Sequence, residues 1–197
     1  MKKNYFLLIF AFSLTELNAQ SSYKDSITTF VKSYVSQHEV VKGNDRKYLH
    51  FYSPDPRYRV TARFEKKENG SWFQIPTSGK IKKTYRVFGV LHFTIHDTLV
   101  HLNLYQSQDL MQNDQYKNYL FLPFTDLTTG VETYESGRYI DLTTEEIKNN
   151  QVIIDFNKAY NPYCAYVSGV YNCPVPPREN HLNIAIKAGE KKYGKMH

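Results

Sequence analysis

The chain has 197 residues, a formal net charge of +6 and a mean hydropathy of −0.55. That length suits one domain with its own core. Its basic residues are scattered rather than striped and no nucleic-acid module is present, which argues against a nucleic-acid binder.

Lys2 and Lys3 precede an apolar run from Tyr5 to Leu14, and Leu17-Asn18-Ala19 ends in a small residue. This pattern predicts a signal peptide over residues 1–19, cleaved after Ala19, and hence an exported protein, periplasmic or extracellular. The run falls short of the about 20 residues that span a bilayer, so no integral span is expected after cleavage. Residues 20–47 should form a helix and a connector. Ser21 or Ser22 can cap the helix, and Ile27, Phe30, Val31, Tyr34 and Val35 recur at helical spacing on one face. Gly43-Asn44-Asp45 should end it.

From Tyr48 the pattern turns to period two, and residues 48–190 read as a single β-rich domain. Strands are expected over Tyr58–Phe64 and Trp72–Ile75, then in a hairpin from Thr84 to Gln106 turning at His96-Asp97. Gly89 inside the hairpin suggests a bulge or tight bend. Gln106 to Lys117 is polar and reads as a loop with room for one helical turn. Tyr119–Phe124 reads as a strand ended by Pro123, and further strands are expected over Val131–Tyr134, Arg138–Leu142, Val152–Phe156 and Leu182–Ile186. Residues 191–197 read as a basic, solvated tail. Many short strands without βαβ alternation predict an all-β, mainly antiparallel fold, a small barrel or sandwich with an N-terminal amphipathic helix and a Pro-rich, disulfide-closed C-terminal loop. Nothing in the pattern calls for more than a monomer.

The stretch from Gly137 to Glu190 carries the densest chemistry. It reads GRYIDL, DFNKAYNPYCAY and CPVPPRENHLNIAIKAGE, and holds both cysteines and a concentration of Arg, Asp, Asn, Tyr and Glu among stiff turns. That is the composition of a loop held rigid on a scaffold, where function tends to sit. With FYSPDPRYRVTARF and FLPFTDLTTGVETY upstream, these blocks resemble the prokaryotic domain-of-unknown-function family DUF1684 over Tyr48 to Glu190. The resemblance implies the family's fold and carries no established activity.

Cys164 and Cys173 are the sole thiols of a chain read as exported, so a disulfide is expected between them. The rival is a metal site completed by His181 or Asp155, for which the spacing is not that of a zinc knuckle. His92, His96 and His101 lie in one hairpin and form no convincing catalytic set; three ligands there could bind a transition metal, but exposed strand histidines are the favoured reading. No cofactor motif is present. The candidate ligand site is Arg138, Asp141, Asp155, Asn157, Tyr160, Asn161, Glu179 and Asn180. Two readings of it stand open. The carboxylates could work as acid and base or hold a hard cation, or Arg138 could pair structurally with Asp155 or Glu179 while the Asn side chains cap turns. The abundant tyrosines suit half-buried strand surfaces and also offer polar ends to carbohydrate-like or aromatic ligands. The leading functional reading is an exported β-domain binding a small or polymeric ligand near residues 137–181. The alternatives are a hydrolase-like enzyme using Asp141 or Asp155 with Arg138, and a structural envelope protein.

Overall fold

The computed structural model describes the backbone of residues 4–195 and the side chains of residues 20–195. Side chains of the expected leader, residues 1–19, lie outside that range. Helix α1 (Asn4–Gln37) runs unbroken through Ser21 and Ser22, so neither serine caps a helix start. The apolar run before them carries no breaker, and the helix continues across the boundary. Its expected inner face is the one that packs. Ile27 is fully buried, and Phe30, Val31, Tyr34 and Val35 are half-buried. The helix ends at Gln37, before Gly43, where His38 turns back and its Nδ1 accepts from the backbone N–H groups of Val40 and Val41 at 3.2 and 2.9 Å.

Eight strands form one curled, mostly antiparallel sheet: β1 (Arg59–Lys66), β2 (Phe73–Ile75), β3 (Lys83–Ile95), β4 (Thr98–Ser107), β5 (Tyr119–Asp126), β6 (Arg138–Thr143), β7 (Gln151–Asp155) and β8 (His181–Leu182). The main order is β6-β5-β4-β3-β1-β7, with β2 added to β3 and the two-residue β8 added parallel to β5. A short helix α2 (Gln108–Met111) lies in the polar connection after β4. The sheet is a half-barrel. Edge strands β6 and β7 do not pair with each other, so it is neither a closed barrel nor two stacked sheets.

The β3–β4 hairpin is the longest ladder and turns at His96-Asp97, both with positive φ (48° and 59°), as its two-residue turn requires. A register shift between Val87 and Gly89 marks the expected bulge. A Cβ on Gly89 would stand 2.2 Å from the Phe64 ring, so glycine lets β1 and β3 approach there. Inside the curl, Leu91, Leu102, Leu104, Leu120, Leu122, Phe124, Ile154 and Phe156 build the main core. On the other face, Ile75, Tyr85, Tyr105, Phe121 and Tyr139 form a second, aromatic cluster.

β5 runs through Pro123 instead of ending there. Proline has no N–H to give to β4, and β4 and β5 are paired only at Tyr105 and Phe121. The side-chain amide of the buried Asn180 fills the gap like a peptide unit. Its Oδ1 accepts from Asn103 N–H at 2.9 Å, and its Nδ2 donates to the Asn103 and Pro123 carbonyls at 2.9 and 2.6 Å. Val131–Tyr134 is a turn, and the segment after Leu182 runs without regular structure beneath the sheet. Residues 191–194 lie along residues 48–50 through backbone hydrogen bonds, and Lys195 pairs with Asp45 at 2.7 Å.

Cys164 and Cys173 are joined, with Sγ atoms 2.21 Å apart and Cα atoms 6.3 Å apart. The ring they close contains no proline; Pro162, Pro174, Pro176 and Pro177 flank it.

Candidate functional site

Strand β6 divides its residues between two faces. Arg138, Ile140 and Leu142 enter the main core, while Tyr139 and Asp141 point the other way. Arg138 is 1% exposed. It points inward as the alternation with Ile140 predicts, but its carboxylate is Asp126, at 2.6 Å, and not Asp155 or Glu179. The rest of the guanidinium donates to the carbonyls of Ile186 at 2.9 Å, Glu190 at 3.3 Å and Ala188. Desolvation lowers its pKa while Asp126 raises it. Arg138 therefore stitches the irregular C-terminal segment to the sheet. It cannot reach Asp141, and the pairing of the two in one hydrolytic site falls away.

The candidate residues separate into a buried framework and an open cleft. Asn157 accepts from Asp55 N–H and donates to Asp55 O and Tyr23 Oη, each at 2.9 Å. Asn161, fully buried, donates to Lys191 O at 2.8 Å. Asn180 bridges β4 and β5 as described. Glu179 is exposed on a 3-10 turn, away from the cleft. Asp155 accepts both contacts of the Tyr23 hydroxyl, at 2.9 and 3.0 Å, and so ties α1 to the end of β7.

Asp141 and Tyr160 sit in the cleft. A cavity of about 600 Å³ opens between α1, the outer face of β6 and the disulfide loop, with Tyr34, Tyr139, Asp141, Tyr160, Tyr163 and Tyr171 on its walls and Lys83 at its rim. A second cavity of about 340 Å³ shares Phe30, Asp141 and Tyr160 with the first and continues into the seam between Ile140 and Leu142 of β6 and Asp155 of β7. The half-barrel's failure to close thus makes the cleft, and α1 lies across it.

Two tyrosine hydroxyls, Tyr119 at 2.7 Å and Tyr160 at 2.6 Å, donate to the same oxygen of Asp141, Oδ1. Oδ2 has no hydrogen-bond donor among the described residues, and Asp141 lines the cleft. Asp141 is reachable from solvent through the cleft mouth, yet protein surrounds it on its other sides. Desolvation there raises its pKa, against the lowering effect of Tyr160 and Tyr119. Desolvation also lifts both phenols well above their usual value, so they stay protonated as donors. A carboxyl group with one oxygen satisfied and one open offers that oxygen as an acceptor for a ligand's O–H or N–H. The tyrosine rings offer faces to apolar C–H surface.

A second carboxylate, Glu190, shares the motif and was not singled out by its sequence. It is fully buried. Asn161 N–H donates to it at 2.9 Å, Tyr166 Oη at 2.8 Å to each oxygen and Tyr34 Oη at 3.2 Å. Desolvation raises its pKa to about 7, opposed by these donors and by Arg138. Its only legible signal was its place at the end of the likeness, beside the charged tail. Among the described residues no group of three or more His, Cys, Asp or Glu is arranged to hold a metal. His92 instead meets Glu65 at 3.2 Å, and the His96 ring lies tilted against Tyr58 at 4.9 Å. No helix among them is long and apolar enough to cross a membrane.

Fold and cleft together define a class: a curled antiparallel half-barrel whose open seam is crossed by an N-terminal helix over a tyrosine-walled pocket. The chain belongs to the family described as "Protein of unknown function (DUF1684)", whose model matches residues 45–191. It is similar to an uncharacterised protein of Haloarcula marismortui, gene locus rrnAC0354, solved in solution by NMR. The two are 28% identical with a TM-score of 0.62, over 92% of this chain and 96% of that one. No curated protein matches it.

Proposed function

We propose that this protein is an exported, monomeric β-domain that binds a hydroxyl-rich, carbohydrate-like ligand in the cleft between α1 and β6. The observation that carries the reading is Asp141: one oxygen held by Tyr119 and Tyr160, the other presented to the cavity among tyrosine rings. A sugar matches both parts, with O–H donors for the carboxylate and a C–H face for the rings. The cavity of about 600 Å³ falls within the roughly 300–1,000 Å³ usual for ligand pockets. Export is supported by the leader pattern over residues 1–19 and by the disulfide. The reading assigns binding without catalysis, because Arg138 is committed to Asp126 on the opposite face of β6.

The test is an NMR titration of isotope-labelled protein with a panel of neutral, acidic and amino oligosaccharides. Shifts centred on Asp141, Tyr119, Tyr139 and Tyr160 are expected with at least one of them. A panel that leaves these resonances unmoved, or moves others instead, overturns the reading. Turnover of any oligosaccharide during the titration would replace binding by hydrolysis.

A further inference from the structure

Two loops meet at the mouth of the cleft and hold an unusual mixture of side chains outward. The first joins β2 to β3 and carries Lys80-Ile81-Lys82-Lys83; the second is the end of the disulfide ring and the residues after it. They are fastened together. Ser78 N–H donates to Cys173 O at 2.9 Å, Val175 N–H to Pro76 O at 2.9 Å, and Ile81 N–H to Asn172 Oδ1 at 3.4 Å. Ser78 Oγ adds a bond to Tyr171 O at 3.2 Å. The disulfide fixes the second loop, so the pair is one built surface and not two independent tips.

That surface exposes Ile81 by 60% and Val170 by 62%, with Tyr171 and Val175 each more than a third exposed. Apolar side chains of this size clustered on adjoining loops mark a contact surface more often than chance exposure does. Lys80 and Lys82 flank Ile81 and are exposed, and neither they nor Lys83 are ion-paired to a carboxylate among the described residues.

We infer that these loops dock the protein onto an anionic lipid bilayer, with Ile81, Val170 and Tyr171 entering the headgroup boundary and Lys80 and Lys82 meeting lipid phosphates. The chemistry favours a bilayer over an acidic protein or soluble polyanion. A polyanion would use the lysines and leave aliphatic Ile81 and Val170 in water, whereas a membrane interface accepts both, with Tyr at headgroup depth. Neither signal alone gives firm attachment, and the two together do. Lys83 and Tyr171 also line the cleft, so docking would hold the cleft mouth beside the lipid surface.

The experiment is co-sedimentation of the full purified chain with phosphatidylcholine vesicles, with and without phosphatidylglycerol. Selective binding to the phosphatidylglycerol vesicles is expected, weakening as salt rises. Lys80→Gln with Lys82→Gln should lower the partition about 25-fold, at roughly five-fold per lysine near the surface, and Ile81→Asn should lower it independently. Wild type and variants share one N-terminus, so their difference reads the loops alone. All three positions are exposed, and unchanged thermal melts check that the variants fold. Equal binding to both vesicle types, no binding, or variants that bind like wild type would each overturn the inference. So would binding to soluble polyglutamate without binding to vesicles. Loss of vesicle binding with oligosaccharide shifts intact separates this surface from the cleft.

Discussion

Glu190 and Asp141 are each clasped by two tyrosine hydroxyls, but Glu190 is sealed from solvent while Asp141 opens to the cleft. Around Glu190, Tyr34 of α1 and Tyr166 close the last approach and a backbone N–H completes the set. Around Asp141, Tyr119 and Tyr160 occupy one oxygen only, and the seam leaves the other open. The same hydrogen-bonding motif therefore serves two ends. Sealed, it latches the N-terminal helix and residues 161–166 to the C-terminal segment. Open, it presents an acceptor. What separates them is whether the sheet's edges are covered at that point.

The largest effect is expected where the sealed end meets the core. Arg138→Ala removes the guanidinium that meets Asp126 and frees the carbonyls of Ile186, Ala188 and Glu190. It should destabilise the fold by about 3–5 kcal/mol in denaturant melts. Arg138→Lys should lose a large share of that, because an ammonium cannot serve a carboxylate and three carbonyls spread in one plane. Two variants as stable as wild type would mean that the sealed end is not what orders the C-terminal segment.

Glu190 gives the comparison a pH signature. Its folded pKa of about 7 lies above the unfolded value, so its contribution to stability is complete below pH about 4.5 and is lost as pH rises through 7. At about 1.4 kcal/mol per pKa unit the loss is on the order of 3 kcal/mol. Asp55, Glu65 and Glu132, whose pKa values are lowered by their partners, change stability in the opposite direction at acid pH. The informative quantity is therefore wild type minus Glu190→Gln, measured by urea melts between about pH 4.5 and 8. That difference should shift steadily in favour of the glutamine variant as pH rises. A flat difference would mean the site is wetter than its geometry shows.

Asn180→Ala should cost about 2 kcal/mol, since it leaves Asn103 and the Pro123 carbonyl unpaired where the β4 and β5 backbones do not bond to each other directly. Amide exchange at Asn103 should quicken more than at Leu102, whose pairing is with β3. Equal exchange at both would show that the sheet closes without the bridge.

Much of this arrangement could be read from residues, and the omissions have causes. The β3–β4 hairpin, the Gly89 bulge, the inner face of α1 and the inward Arg138 all follow from local periodicity and turn chemistry. Asp126 was missed because a strand thought to stop at Pro123 excludes it, although Phe124 stands opposite Arg138 in the ladder. Proline forbids the donor but not the strand, and the remedy came from Asn180, 57 residues away. The cleft was legible only as two of its residues, Asp141 and Tyr160. Its existence depends on β6 and β7 failing to meet, which is a property of the sheet's curl and of no local stretch. Glu190 carries no local signal of burial, because it stands between Ala188-Gly189 and the lysines of the tail, and the groups that enclose it, Tyr34, Asn161 and Tyr166, come from other segments.

The smallest expected effect on stability belongs to the open end. Asp141→Asn keeps an acceptor for a tyrosine hydroxyl and should shift the melt by less than about 1 kcal/mol. The central claim is that this position serves a ligand while Glu190 serves the fold. The most direct measurement is the oligosaccharide titration followed by NMR on two variants side by side, Asp141→Asn and Glu190→Gln. The account predicts that Asp141→Asn abolishes the cleft shifts at unchanged stability, and that Glu190→Gln alters the pH dependence of stability but keeps those shifts. Cleft shifts that survive in Asp141→Asn and vanish in Glu190→Gln would contradict it.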